Sequence, residues 1–235
     1  MKRILSTGLV CVLLGGVVFA QQTKPWSEWS KKDADKMLND SAWGQTVKTG
    51  EAPPDMSSRS GGSGSQGSGV QGPAPLSPEV YFRVRFITAK PIREGFANKL
   101  LLSQPKQTDE IKSELQKIID SGFGDFIVVA VNVDGQNPQT VGAAFQELMR
   151  LKAATLSEKV YLERKDGKRL PLIDYKQPVA DGMGGKFVFA RSLDDAPFLG
   201  ADSDSVRFVL NLSSKVKLNV KFKVSSMMYG DKLEY

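Results

Sequence analysis

Between Gly50 and Pro78, 19 of 29 residues are glycine, serine or proline, among them the run Ser60-Gly61-Gly62-Ser63-Gly64-Ser65. A stretch of this kind buries too little apolar surface to offset the entropy of ordering it. It reads as a flexible linker whose ends average roughly 30 Å apart by random-coil scaling. The chain is thereby divided into a short segment, residues 21–49, and a longer one, residues 79–235. No Gly-Lys-Ser/Thr ending, preceding strand or following helix accompanies the glycines, so they do not form a phosphate-binding loop.

At the other end of residues 1–49, Lys2 and Arg3 precede an apolar run from Ile4 to Phe19, and Val18-Phe19-Ala20 carries small or aliphatic residues where a signal peptidase requires them. Residues 1–20 are expected to be a cleaved secretory signal. The run is about 16 residues, short of the roughly 20 of a spanning helix, and no later stretch approaches that length, so no transmembrane segment is expected after cleavage. Cys11 is preceded by Gly8, Leu9 and Val10 rather than by a small residue at the adjoining position, which argues against lipid attachment. The expected location is exported, periplasmic or extracellular.

Cleavage after Ala20 removes the single cysteine, so the exported chain must hold together without a disulfide. It also leaves 30 lysines and arginines against 26 acids, a formal charge of +4 that solubility alone accounts for. Histidine is absent. Ser-His-Asp and Cys-His catalysis, imidazole-bound zinc and cysteine-cluster zinc are therefore excluded, and no cofactor is expected.

All three tryptophans, Trp26, Trp29 and Trp43, precede the linker. Ser30 as N-cap with Asp33 three residues on, and Ala34, Met37 and Leu38 on one face, predict a helix over Lys31–Asn39. Nine helical residues do not stand alone in water. The helix and its tryptophans either dock on the longer segment or form an aromatic docking platform for a sugar or a partner.

Beyond the linker the periods are regular. Val80, Phe82, Val84 and Phe86 alternate with Tyr81, Arg83 and Arg85, a half-buried strand. Helices are predicted from Pro91 to about Leu102, from Asp109 to about Gly122, and from Gln139 to about Ala154. Phe126–Val131 is an unbroken apolar run, the pattern of a central strand buried on both faces. Val160–Arg164 and Leu170–Tyr175 flank Lys165-Asp166-Gly167-Lys168, a hairpin signal. Strands are further expected at Phe187–Arg191, at Val206–Leu212 and from Val216 to Val224. The expected fold is α+β: one mixed or largely antiparallel sheet of about seven strands with about three helices, plus the short N-terminal helix before the linker.

The segments Trp26-Ser27-Glu28-Trp29 and Leu38-Asn39-Asp40-Ser41-Ala42-Trp43, the Lys165–Lys168 hairpin and the closing Lys232-Leu233-Glu234-Tyr235 resemble a family of bacterial secreted proteins with a signal peptide, this tryptophan segment, a variable linker and one α+β domain. The resemblance covers nearly the whole exported chain. It implies export and architecture, and no activity, ligand or site residue.

Two Ser-x-x-Lys spacings occur, and neither suits a Ser-Lys nucleophile. Ser103 and Lys106 are separated by Pro105, and Ser214 and Lys217 fall on opposite faces of a strand. Asp194, Asp195, Asp202 and Asp204 gather between two late strands, with Asp181 before them, but lack the spacing of a calcium loop, so turn chemistry is expected of them. The pattern left over is basic. Lys215, Lys217, Lys221 and Lys223 share one side of the last strand with Asn219, while Arg83, Arg85 and Arg207 alternate in the same way elsewhere. They define a candidate face for an anionic envelope polymer or acidic protein, unless the lysines only protect an edge strand. Nucleic acid is not expected as a partner. The sequence points to a non-catalytic exported protein that binds or scaffolds at the envelope; the alternative is a histidine-free hydrolase using two carboxylates.

Overall fold

A computed structural model of the chain describes residues 24–48, 80–212 and 216–235. The expected signal, the linker and Lys215 lie outside the described residues. Most predicted elements form with nearly the predicted bounds. Helix α1 spans Lys31–Asn39 behind a complete Ser30/Asp33 capping box, α2 spans Lys90–Ser103, and α3 spans Asp109–Asp120 behind a Thr108 cap. Helix α4 spans Pro138–Arg150, and Asn137 caps it by accepting from the Gln139 and Thr140 amides. It stops before Ala154 because Leu151 turns extended and Ala153–Thr155 forms a separate 3-10 turn.

Strand count is where the expectation of about seven fails. The main sheet has eight strands: β1 Gly44–Lys48, β2 Val80–Phe86, β3 Phe126–Gly135, β4 Val160–Arg164, β5 Arg169–Lys176, β6 Gly185–Ala190, β9 Ser205–Asn211 and β10 Lys217–Lys223. Two small hairpins stand apart from it, β7 Ser192–Leu193 with β8 Ala196–Pro197, and β11 Met228–Tyr229 with β12 Lys232–Leu233. The unforeseen member of the main sheet is β1. Its sequence, Gly-Gln-Thr-Val-Lys, has no apolar alternation to announce it, and it is held by backbone pairing with β2 from Gly44 opposite Arg85 to Lys48 opposite Tyr81.

The spatial order is β1-β2-β3-β6-β5-β4-β9-β10, and every pairing within it is antiparallel. Its twist brings the two end strands back together, so the sheet is nearly a barrel. At the seam Gln45 Nε2 on β1 donates to the Lys221 carbonyl on β10 at 2.9 Å. Inside, Phe86 of β2 meets Phe222 of β10 edge-on at 4.9 Å between ring centres. Phe82, Phe187, Phe189 and Phe208 fill the same fully buried interior. Strand β3 lies between β2 and β6, and its Ile127–Val131 stretch is buried throughout, as its unbroken apolar run predicts.

The β4–β5 connection differs in detail from a two-residue Asp-Gly turn. Arg164 N donates to Lys168 O at 2.9 Å and Gly167 N donates to Arg164 O at 3.0 Å, with Gly167 at φ 84°. That is a three-residue loop ending in a left-handed glycine. On the outside, α1 packs against α2 and against β1 and β2, α3 packs on α2, and α4 lies against β3 and β2. Among the described residues no helix is long and apolar enough to cross a membrane.

Candidate functional site

Side chains on β10 alternate as period two requires. Val216, Leu218, Val220, Phe222 and Val224 are buried, while Lys217, Asn219, Lys221 and Lys223 are exposed. Arg207 on β9 stands directly opposite Lys221 and is exposed on the same face. Among the described residues Lys217, Lys221, Lys223 and Arg207 form no ion pair. The row continues across β4 to Glu163 and across β5 to Arg169, which pair with each other at 2.7 Å, and Arg169 also stacks on the Tyr161 ring. At the Lys223 end, Lys165 bonds Asp204. That bond, and then the charges of Lys221 and Lys223, hold the Asp204 carboxyl below its ordinary range. An open depression of about 420 Å³ begins there, lined by Arg164, Lys165, Asp166, Asp202, Asp204 and Ser205 among others. The face is thus cationic, with Glu163 engaged by Arg169, Asp204 by Lys165 and Asp166 by Arg164.

The β2 arginines do not join it. Arg85 is 3% exposed, because α1 covers that side of β2. Its Nε donates to Leu38 O at 2.8 Å, one terminal nitrogen donates to Asn39 Oδ1 at 2.6 Å, and the guanidinium lies over Phe96. Burial pushes the guanidinium pKa down to about 10, with the charge of Arg83 adding to the effect. Arg85 ties α1 to the sheet. Arg83 is half-buried and bonded to Asp134 across the β2–β3 pair. Alternation correctly assigned both arginines to one side of their strand, and the helices cover that side.

The tryptophans are not an exposed platform either. Trp26, Trp29 and Trp43 are 8%, 3% and 6% exposed and belong to the same core as the barrel. Each indole N–H has an internal acceptor: Gln116 Oε1 at 2.7 Å, Lys24 O at 3.0 Å and Glu234 O at 2.8 Å, respectively. Asn98 on α2 donates to the carbonyls of Trp26 and Trp29, which fixes the 3-10 turn of Trp26–Glu28.

Two features had no local signal. One is Glu94 on α2, 5% exposed and bonded by the Tyr229 hydroxyl. Desolvation raises its pKa and outweighs that bond. The other is an open depression of about 540 Å³ at the α1–β1 corner, lined by Asn39, Asp40, Ser41, Gln45 and Thr46. It adjoins β10 through the Gln45–Lys221 bond.

The clustered aspartates serve turns and ion pairs. Asp194 and Asp195 take φ 52° and 60° in the two-residue turn between β7 and β8, a conformation aspartate tolerates better than most residues. Asp181 pairs with Lys186 at 2.6 Å. Among the described residues no three histidine, cysteine or acidic side chains are grouped as a metal site. Ser103 donates back to Leu100 O at the end of α2, and Gln104 is extended, as the following proline demands.

No family model matches the chain, and no curated protein matches it. A solved structure from Burkholderia pseudomallei, described as a novel protein of unknown function, is similar at 14% identity with a TM-score of 0.40, over 64% of this chain and 79% of that one.

Proposed function

We propose that the protein is an exported, non-catalytic binding or scaffolding module of the cell envelope, and that the outer face of β9 and β10 docks on an anionic envelope polymer. One observation carries this reading: Lys217, Lys221, Lys223 and Arg207 share an exposed sheet face and form no ion pair among the described residues. Edge protection alone explains the lysines less well, because β1 already approaches the β10 edge and Gln45 occupies the Lys221 carbonyl. The resemblance to bacterial secreted proteins supports export. A hydrolase using two carboxylates needs both to face one cleft. Glu94 is the one buried acidic side chain among the described residues, and Tyr229 bonds it.

The test is retention on an immobilised polyanion at increasing salt. The protein is expected to be retained at low salt and released as screening rises. A variant with Lys217, Lys221, Lys223 and Arg207 all changed to Gln is expected to pass through with an unchanged melting temperature. Equal retention of the two proteins would refute the reading.

A further inference from the structure

The depression at the α1–β1 corner has a definite chemical bias. Within Leu38–Trp43 nearly every polar group is committed to the fold. Asn39 Nδ2 donates to Asp35 O at 2.8 Å, and its Oδ1 accepts from Arg85. Ser41 Oγ donates to Met37 O at 2.6 Å and accepts from the amides of Trp43 and Gly44. At the facing strand, Thr46 Oγ1 donates to Asn39 O at 3.2 Å, and Gln45 Nε2 is spent on Lys221 O. Of the lining side-chain donors, only the second N–H of Asn39 Nδ2 and of Gln45 Nε2 has no partner among the described residues. The unused acceptors outnumber them: the exposed Asp40 carboxylate, which makes no hydrogen bond or ion pair among the described residues, and Gln45 Oε1. Both are held by a rigid frame, since a Cβ at Gly44 would run into the Leu38 carbonyl and leaves β1 no room to shift toward α1.

A ligand for this corner must supply donors to these oxygens and can accept from the two spare amide N–H groups, as hydroxyls do. A neighbouring cationic face asks for negative charge in the same molecule. The geometry points to a hydroxyl-bearing subsite in which Asp40 and Gln45 receive hydrogen bonds from a sugar ring, so that the polymer on the β9–β10 face is an acidic polysaccharide. A depression of about 540 Å³ is ample for one ring. The inference rests on the polyanion-docking reading and adds to it the chemical class of the polymer.

Affinity of the purified protein for polygalacturonate, which carries hydroxyls and carboxylates, is compared with affinity for inorganic polyphosphate, which carries charge without sugar hydroxyls. The variant is Asp40→Ala, with its melting curve recorded alongside. Charge alone predicts that removing an acid strengthens binding to both polymers. A hydrogen-bonding role predicts the opposite sign for one of them: polygalacturonate binding weakened about tenfold, the effect of one lost hydrogen bond to a charged group, while polyphosphate binding is not weakened. Asp40→Asn, which keeps one acceptor oxygen, should recover part of the loss. Tighter or unchanged binding of both polymers by Asp40→Ala, or an equal loss for both, overturns the sugar subsite. If the four-residue glutamine variant of the basic face keeps full affinity for polyphosphate, the underlying docking reading fails instead.

Discussion

Glu94 shows how a single residue can be held against its own preference. Its folded pKa lies above the ordinary value of 4.5 because desolvation outweighs the Tyr229 bond and the charges of Lys90 and Arg93, with Asp120 pushing the same way as burial. The folded state therefore binds this proton more readily than the unfolded chain does. Glu94's contribution to stability is greatest below about pH 4.5 and is lost as pH rises through the elevated folded value. Glu94→Gln keeps an acceptor for Tyr229 without the buried charge, so at pH 7 it is expected to melt at the same temperature as wild type or higher. The advantage should disappear near pH 4; a lower melting temperature at pH 7 would contradict this account. The contrast on β10 is of another kind. Phe222, buried against Phe86, should cost roughly 3 to 5 kcal/mol on truncation to alanine. Glutamine at the neighbouring Lys221 or Lys223 should cost under about 1 kcal/mol, as exposed charges generally do. Chemical denaturation of the three single variants separates the two classes.

At the scale of elements, the unit formed by residues 24–48 is tied in at many separated points. Strand β1 pairs with β2, Arg85 holds the end of α1, Trp43 reaches Glu234, and Gln45 reaches β10. The hairpin of β11 and β12 closes over the same region: Tyr229 meets Trp43 edge-on at 6.0 Å, and Glu234 accepts from the Lys90 amide at 3.1 Å, at a helix start where Ala89 offers no side-chain cap. Lys48 and Tyr81 are opposite one another in the sheet, so the described residues that flank 49–79 are neighbours, rather than separated by the distance expected of a free coil. A protease site placed within 49–79 and cut should therefore yield two pieces that co-elute in gel filtration without denaturant. Separation of the pieces would show that β1 and α1 are held mainly by the covalent link.

For the whole molecule, one core shared by the tryptophan unit and the barrel implies one cooperative transition. Tryptophan fluorescence, which reports only on Trp26, Trp29 and Trp43, should lose its native signal at the same denaturant concentration as the far-ultraviolet dichroism of the barrel. An earlier fluorescence transition would mean that residues 24–48 unfold separately. Helix caps, strand periods and the lysine side of β10 were readable along the chain because each depends on residues within a turn or two of one another. Ser30 with Asp33 and Lys217 to Lys223 both follow this pattern. Strand β1 was not readable, since its place is set by the edge of β2 and by contact with Leu38 rather than by its own side chains. Nor was the corner of Asn39, Asp40 and Gln45, which exists only where α1 turns back along the sheet. Alternation states which residues share a side of a strand; it does not state what covers that side. That is why Lys221 and Arg85, equally basic and equally placed by period two, end up respectively in water and beneath a helix.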